Sequence, residues 1–244
     1  MEISERSLRQ MVREVDDLHR EGMRTIRDDV ATLHTGAAAR LLEGTRRRLL
    51  GTAAKGLALV IGGAVVPFGG LLASASAQTL DDPTIAKFAE SVELAAVAAY
   101  TAAAQSGKVR TPTVLAAATA FAGHHLDHAK AFGAFAGDTA TAKANPGLVQ
   151  AVGDQIRAAA DENAVLEVAF ATENAAAATY LFAIGALTSA QALAATASIM
   201  PVEAQHAAVL GFVLGKDPKT DVGFLPPFQT QDSAIQPSKF PVAS

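Results

Sequence analysis

Apolar residues recur at steps of three and four through most of the second part of the chain, the period of helices with a buried face. The pattern predicts a long helix over 82–105, with Pro83 in its first turn and a stop at Gly107. A second runs from Pro112 to about Gly137. Asn145-Pro146-Gly147 marks a turn, a shorter helix follows over about 148–160, and two more long helices cover about 162–185 and 189–215. Alternating β-branched patterns are scarce, so the fold class is all-α. Nearer the start, Leu8, Met11, Val15 and Leu18, then Met23, Ile26, Val30 and Leu33, form the stripe of an amphipathic helix. His19 and His34 are expected on its solvated side. The last stretch, 216–244, holds Pro218, Pro226, Pro227, Pro237 and Pro241 and is expected to lie extended on the helices.

Composition narrows the function. Half of the 244 residues are apolar and 18% are charged, which excludes general disorder. The absence of Cys excludes disulfides, Cys-ligated zinc or iron–sulfur sites and a Cys nucleophile. The net charge of −4 argues against a nucleic-acid partner. Charge is uneven: residues 1–77 carry 11 Lys/Arg and 9 Asp/Glu, and no charge falls between Lys55 and Asp81. Thr45-Arg46-Arg47-Arg48 opens an apolar, Gly-rich run, and Ala75-Ser76-Ala77 ends it as a small-residue cleavage pattern. This order reads as an export signal resembling the twin-arginine type, with an uncleaved membrane anchor as the other reading. Either way residues 78–244 are expected outside the cytoplasm, in the periplasm, the envelope or the medium. The expected layout is a charged amphipathic segment (1–44, with Met1 or Met23 as its start), the export segment (45–77), a bundle (78–215) and a tail (216–244).

The bundle is an internal repeat. Glu93 and Glu173 are each followed seven residues later by a tyrosine, Tyr100 and Tyr180. His128 and His206 are each followed by Ala and then by glycines at equal offsets, Gly133 and Gly137, Gly211 and Gly215. Each half is a helical hairpin, and two hairpins make an antiparallel four-helix bundle. Glu93, Glu173 and Glu203 sit in apolar surroundings with almost no Lys or Arg nearby. A buried carboxylate without a partner costs several kcal/mol, so a compensating cation is expected. Glu203-x-x-His206 and His125-x-x-His128 each place two side chains on one face of one turn.

These elements, Glu93, His125-Leu-Asp-His128, Glu173 and Glu203-Ala-Gln-His206 in order, resemble a ferritin-like domain of the kind found in exported bacterial proteins. The resemblance covers about 81–215. It implies a ferritin-like bundle and a metal set of Glu93, His125, His128, Glu173, Glu203 and His206. It also implies divalent iron or manganese, with zinc as a further option, and dioxygen or peroxide as co-reactants. The function it implies is redox chemistry or metal handling in the cell envelope. The alternative is a stress- or desiccation-associated envelope protein that uses the scaffold without metal or catalysis. Both an enzyme and a non-enzyme fit the pattern, and a homo-oligomer fits either.

The second helix departs from the family pattern, with His125 where a bridging Glu is expected. Four Glu and two neutral His neutralise two divalent ions, whereas three Glu and three His leave such a pair at +1. Imidazole serves one metal at a time, so a single ion or two unequal sites become plausible, and the added nitrogen suits Zn, Cu, Fe or Ni. His124, four residues before His128, competes with His125 for the ligand position. The metal-free reading is a polar network of Glu–His pairs. Tyr100 and Tyr180 are expected to cap the core and donate hydrogen bonds, and Glu90 to lie at the solvent edge. Pro201, inside the last helix, is expected to kink it or raise a bulge.

Overall fold

The computed structural model describes residues 3–33, 60–61, 64–65, 81–218, 234–235 and 237–242. Helix α1 is Glu5–Leu33, α2 Asp82–Gln105, α3 Pro112–Ala136, α4 Pro146–Ala158, α5 Glu162–Ala186 and α6 Ala190–Val213. A two-residue antiparallel ladder pairs β1 (Val60–Ile61) with β2 (Ala64–Val65). The export segment, apart from those four strand residues, and His34 lie outside the described residues. Among the described residues no helix is long and apolar enough to cross a membrane.

Local chemistry starts the helices. Asp81, Asn145, Asp161 and Ser189 each accept a backbone N–H in the first turn of α2, α4, α5 and α6. Pairs α2–α3 and α5–α6 form the two hairpins, with α4 as the crossover between them. The hairpins hold each other's ends by equivalent devices. Asp82, opening α2, accepts from the backbone N–H of Thr188 (2.8 Å) and Ser189 (2.6 Å) in the α5–α6 turn. Glu162, opening α5, accepts from Arg110 N–H and from Thr111 N–H (2.5 and 2.9 Å) in the α2–α3 turn. An acid at the head of each hairpin thus pins the loop of the other.

The bundle is covered on two sides. Helix α4 packs on α2 and α5, and α1 packs on α3 and α6. Residues of α5 and α6 are apolar around most of their circumference, the composition of helices covered on more than one face. Helix α1 is therefore part of the folded body, and its buried face differs from the expected stripe. Leu8, Val15, His19, Met23 and Ile26 are buried, while Leu18 is 54% exposed. The true seam steps by seven, four, four and three, and His19 falls on it while Leu18 does not. In the tail, Ile235 N–H donates to Thr179 Oγ1 (2.7 Å) and Asn145 Nδ2 donates to the carbonyl of Phe240 (2.8 Å).

Helix α6 continues without a 3-10 or π turn through Pro201, so the expected bulge is absent. Pro201 itself is exposed, which leaves its ring on the outer side of the helix, away from Glu203. Glu90 is also a correction. It is 6% exposed and accepts backbone N–H groups from Thr141 (2.6 Å) and Ala142 (3.1 Å) beyond the end of α3. Gly133 makes this possible, since a Cβ there would stand 2.8 Å from Glu90 Oε1.

Candidate metal centre

All four long helices of the bundle send side chains to one buried point. Glu93 comes from α2, His125 and His128 from α3, Glu173 from α5, and Glu203 and His206 from α6, each at most 1% exposed. His125 Nδ1 lies 2.6 Å from Glu93 Oε2 and its Nε2 lies 3.1 Å from Glu173 Oε1. His128 Nδ1 lies 2.7 Å from Glu203 Oε1. His206 Nδ1 lies 3.4 Å from Glu173 Oε2 and 3.5 Å from Glu203 Oε2. Their donor atoms form two groups, Glu93–His125–His128–Glu203 and His125–Glu173–Glu203–His206, each within 4.8 Å. The structure thus brings together the six residues singled out in the sequence.

His125, not His124, enters the cluster. The expectation that its ring would serve one side changes in form. One ring nitrogen faces Glu93 and the other faces Glu173, so His125 and Glu203 are common to both groups.

The electrostatics are those of a charge-paired core. Burial opposes a charge on His125, but Glu203, Glu173 and Glu93 outweigh it and hold the ring well above the usual imidazole range. His128 is likewise disfavoured by burial yet raised to about 9 by Glu93 and Glu203. His206 is raised by Glu173 against the same penalty. Burial would raise Glu93, but His128 and His125 pull it to about 2, and His125 and His206 hold Glu173 well below the carboxylate range. Without metal, protons on the imidazoles balance the three carboxylates.

That balance leaves gaps in the hydrogen bonding. Both nitrogens of His128 and both oxygens of Glu203 are buried without a hydrogen bond of acceptable geometry. The 2.7 Å contact between them is close but misaligned. Buried orphan donors and acceptors are rare and call for an ion or a water. A mixed imidazole–carboxylate set suits Fe, Mn or Zn.

The tyrosines orient the outer carboxylates, and they do so across the repeat. Tyr100 on α2 donates to Glu173 Oε1, and Tyr180 on α5 donates to Glu93 Oε1. Burial, together with the Glu173 charge at Tyr100 and the Glu93 charge at Tyr180, raises both phenols well above their normal range, so they remain donors. Each hairpin therefore fixes the other's glutamate.

A second group lies on the seam between α1 and the bundle. His124 Nδ1 is 3.0 Å from His206 Nε2, and His124 Nε2 is 3.1 Å from Asp16 Oδ1. His19 stacks on His124 with ring centroids 4.0 Å apart. His19 is 3% exposed, which corrects its assignment as a solvated residue, and its Nε2 has no hydrogen-bond partner. Burial holds His19 at about 3 and His124 at about 4, so both rings are neutral. Sequence reasoning missed this group, although Asp16-x-x-His19 has the same spacing as Glu203-x-x-His206.

Compared with known proteins, residues 81–216 match the model of the ferritin-like domain family, more than half of the chain. No curated protein and no solved structure matches.

Proposed function

The chain belongs to the ferritin-like domain family, and on that premise we propose that its buried Glu–His cluster is a centre for one or two divalent transition-metal ions, used for redox chemistry or metal handling. The observation that carries this reading is the set of orphaned atoms on Glu203 and His128, fully buried among carboxylates and imidazoles from four helices. A bound iron or manganese ion would supply electron transfer with dioxygen or peroxide. The chain's own residues do the rest. Glu203 and His125 sit between the two donor groups, and Tyr100 and Tyr180 hold Glu173 and Glu93 in orientation. Ala and Val side chains around them keep bulk water away.

Elemental analysis of the purified full chain, beside a Glu203→Ala/His206→Ala variant, tests the reading. The expected result is one or two equivalents of Fe, Mn or Zn that the variant loses. A wild-type core that stays empty when these metals are offered overturns it and leaves a charge-paired scaffold.

The location in the cell envelope is a further proposal, supported by the order of residues 45–77. It makes a demand on the fold. Cleavage after Ala77 would release α1 from α3 and α6, and passage of the bundle alone across a membrane would separate them. N-terminal sequencing of the native protein tests this: a start at Gln78 means that the working protein lacks α1, and an intact start means that it keeps the helix. Burial of Leu8, Val15, Met23 and Ile26 against the bundle favours the intact chain.

A further inference from the structure

We propose that Asp16, His19 and His124 form a second divalent-metal site, on the seam between α1 and α3 and separate from the bundle core. The proposal rests on the reading of the core as a metal centre only in the chemistry of the ion; the ligands are different residues.

The donor set is one carboxylate and two imidazoles. Asp16 and His19 sit one turn apart on α1 and face His124 on α3, and their donor atoms fall within 4.8 Å of one another. Two His and one carboxylate with positions left open is a set used by catalytic zinc and by non-haem iron. Three observations point to a ligand here. His19 Nε2 is buried with no partner, on a helix whose neighbouring seam positions are apolar. His124 turns Nε2 towards Asp16 and Nδ1 towards His206, the arrangement in which a metal-binding imidazole is fixed by a hydrogen bond at its other nitrogen. Asp16 is 40% exposed, so the seam is reachable from solvent while the core is closed.

The test uses the full chain, stripped with chelator and titrated with Co2+ alone at pH 8 without oxygen. Equivalents are counted by equilibrium dialysis and followed by visible absorption. Asp16→Asn and His19→Phe, the second retaining the stack on His124, are each expected to bind one equivalent fewer than wild type, with unchanged helix content by circular dichroism. A His206→Ala chain is expected to keep the seam equivalent, and His206→Ala/Asp16→Asn to lose it. If Asp16→Asn and His19→Phe bind as much Co2+ as wild type, the seam site is overturned. Failure of the core reading looks different: Glu203→Ala/His206→Ala then binds as much as wild type, whatever the seam variants do.

Discussion

The core and seam clusters lie a single histidine contact apart and solve the problem of buried imidazole in opposite ways. In the core three carboxylates surround three rings, and the attraction exceeds the burial penalty, so the rings hold protons. On the seam the half-exposed Asp16 faces His124 and Asp127 acts on His19, but burial wins, so the rings are neutral. The difference shows that burial alone does not set the charge state of a histidine; the number of carboxylates within reach does. It also gives the two clusters different relations to metal. An ion entering the core must displace protons from charged rings, while the seam rings are neutral and have fewer protons to lose.

The largest expected break in this comparison is Glu203→Ala. Removing the carboxylate leaves His128 and His206 buried with less compensation, and loss of one partner of a buried pair costs about 3–5 kcal/mol. We expect that loss in chemical denaturation of the metal-free protein. A loss under 1 kcal/mol would show that the core rings are not held charged.

Tyr100→Phe and Tyr180→Phe are expected to come next. Each removes one hydrogen bond to a buried carboxylate, an interaction of about 1.5–3 kcal/mol. Because Tyr100 serves Glu173 and Tyr180 serves Glu93, the two losses should be similar. Tyr180→Phe should weaken metal at the Glu93–His128 side first, and Tyr100→Phe at the Glu173–His206 side. Equal weakening of both sides by either variant would mean that the crossed bonds do not orient separate ligands.

A pH titration of the metal-free protein sharpens the contrast without mutation. His128 has its folded pKa raised to about 9, so its contribution is present below about 6.5 and fades as pH rises towards 9. His19 and His124 are depressed to about 3 and 4, so folding becomes less favourable as pH falls below about 6.5 and the unfolded rings take up protons. Glu93, depressed to about 2, adds a further acid loss below about 4.5. Melting temperature should therefore peak near pH 6.5, the seam histidines and the core carboxylates shaping the acid limb and the core imidazoles the alkaline limb. His19→Phe should flatten only the acid limb; a change in the alkaline limb would contradict the division.

Much of this was legible in the sequence, for identifiable reasons. The α2 bounds follow from Pro83 and Gly107, and the hairpin repeat follows from Glu93, Tyr100 and His128 recurring as Glu173, Tyr180 and His206. Those residues stand out because charge in an apolar helix needs an explanation. His19 does not stand out, because α1 is rich in charge and its stripe can be drawn through Leu18 as easily as through the true seam. Choosing between the two requires the partner surface of α3 and α6. Glu90 misleads for a similar reason: its partners are backbone N–H groups of a loop 51 and 52 residues away, which leave no side-chain signature. Pro201 was legible as a break in hydrogen bonding but not in its consequence, since its outward placement depends on how α6 packs.

The smallest expected effect on the metal-free protein is that of Asp16→Asn, and it divides the two clusters most cleanly. Asp16 pairs with Arg20 and with His124, but its carboxylate is 40% exposed and the Arg20 side chain 64% exposed. Pairs open to solvent contribute about 0–1 kcal/mol, which for a chain of this size is a shift of at most about 4 °C. Asn also keeps an oxygen in place for the His124 N–H. The same substitution should nevertheless reduce the rise in melting temperature that added Zn2+ produces, because a ligand stabilises the folded chain in proportion to the sites it fills. Glu203→Ala reverses the pattern, with a large loss before metal is added and a seam-derived rise still present afterwards. Should Asp16→Asn destabilise the metal-free chain as much as Glu203→Ala does, the seam would be a second charge-paired core, and the contrast between the clusters would disappear.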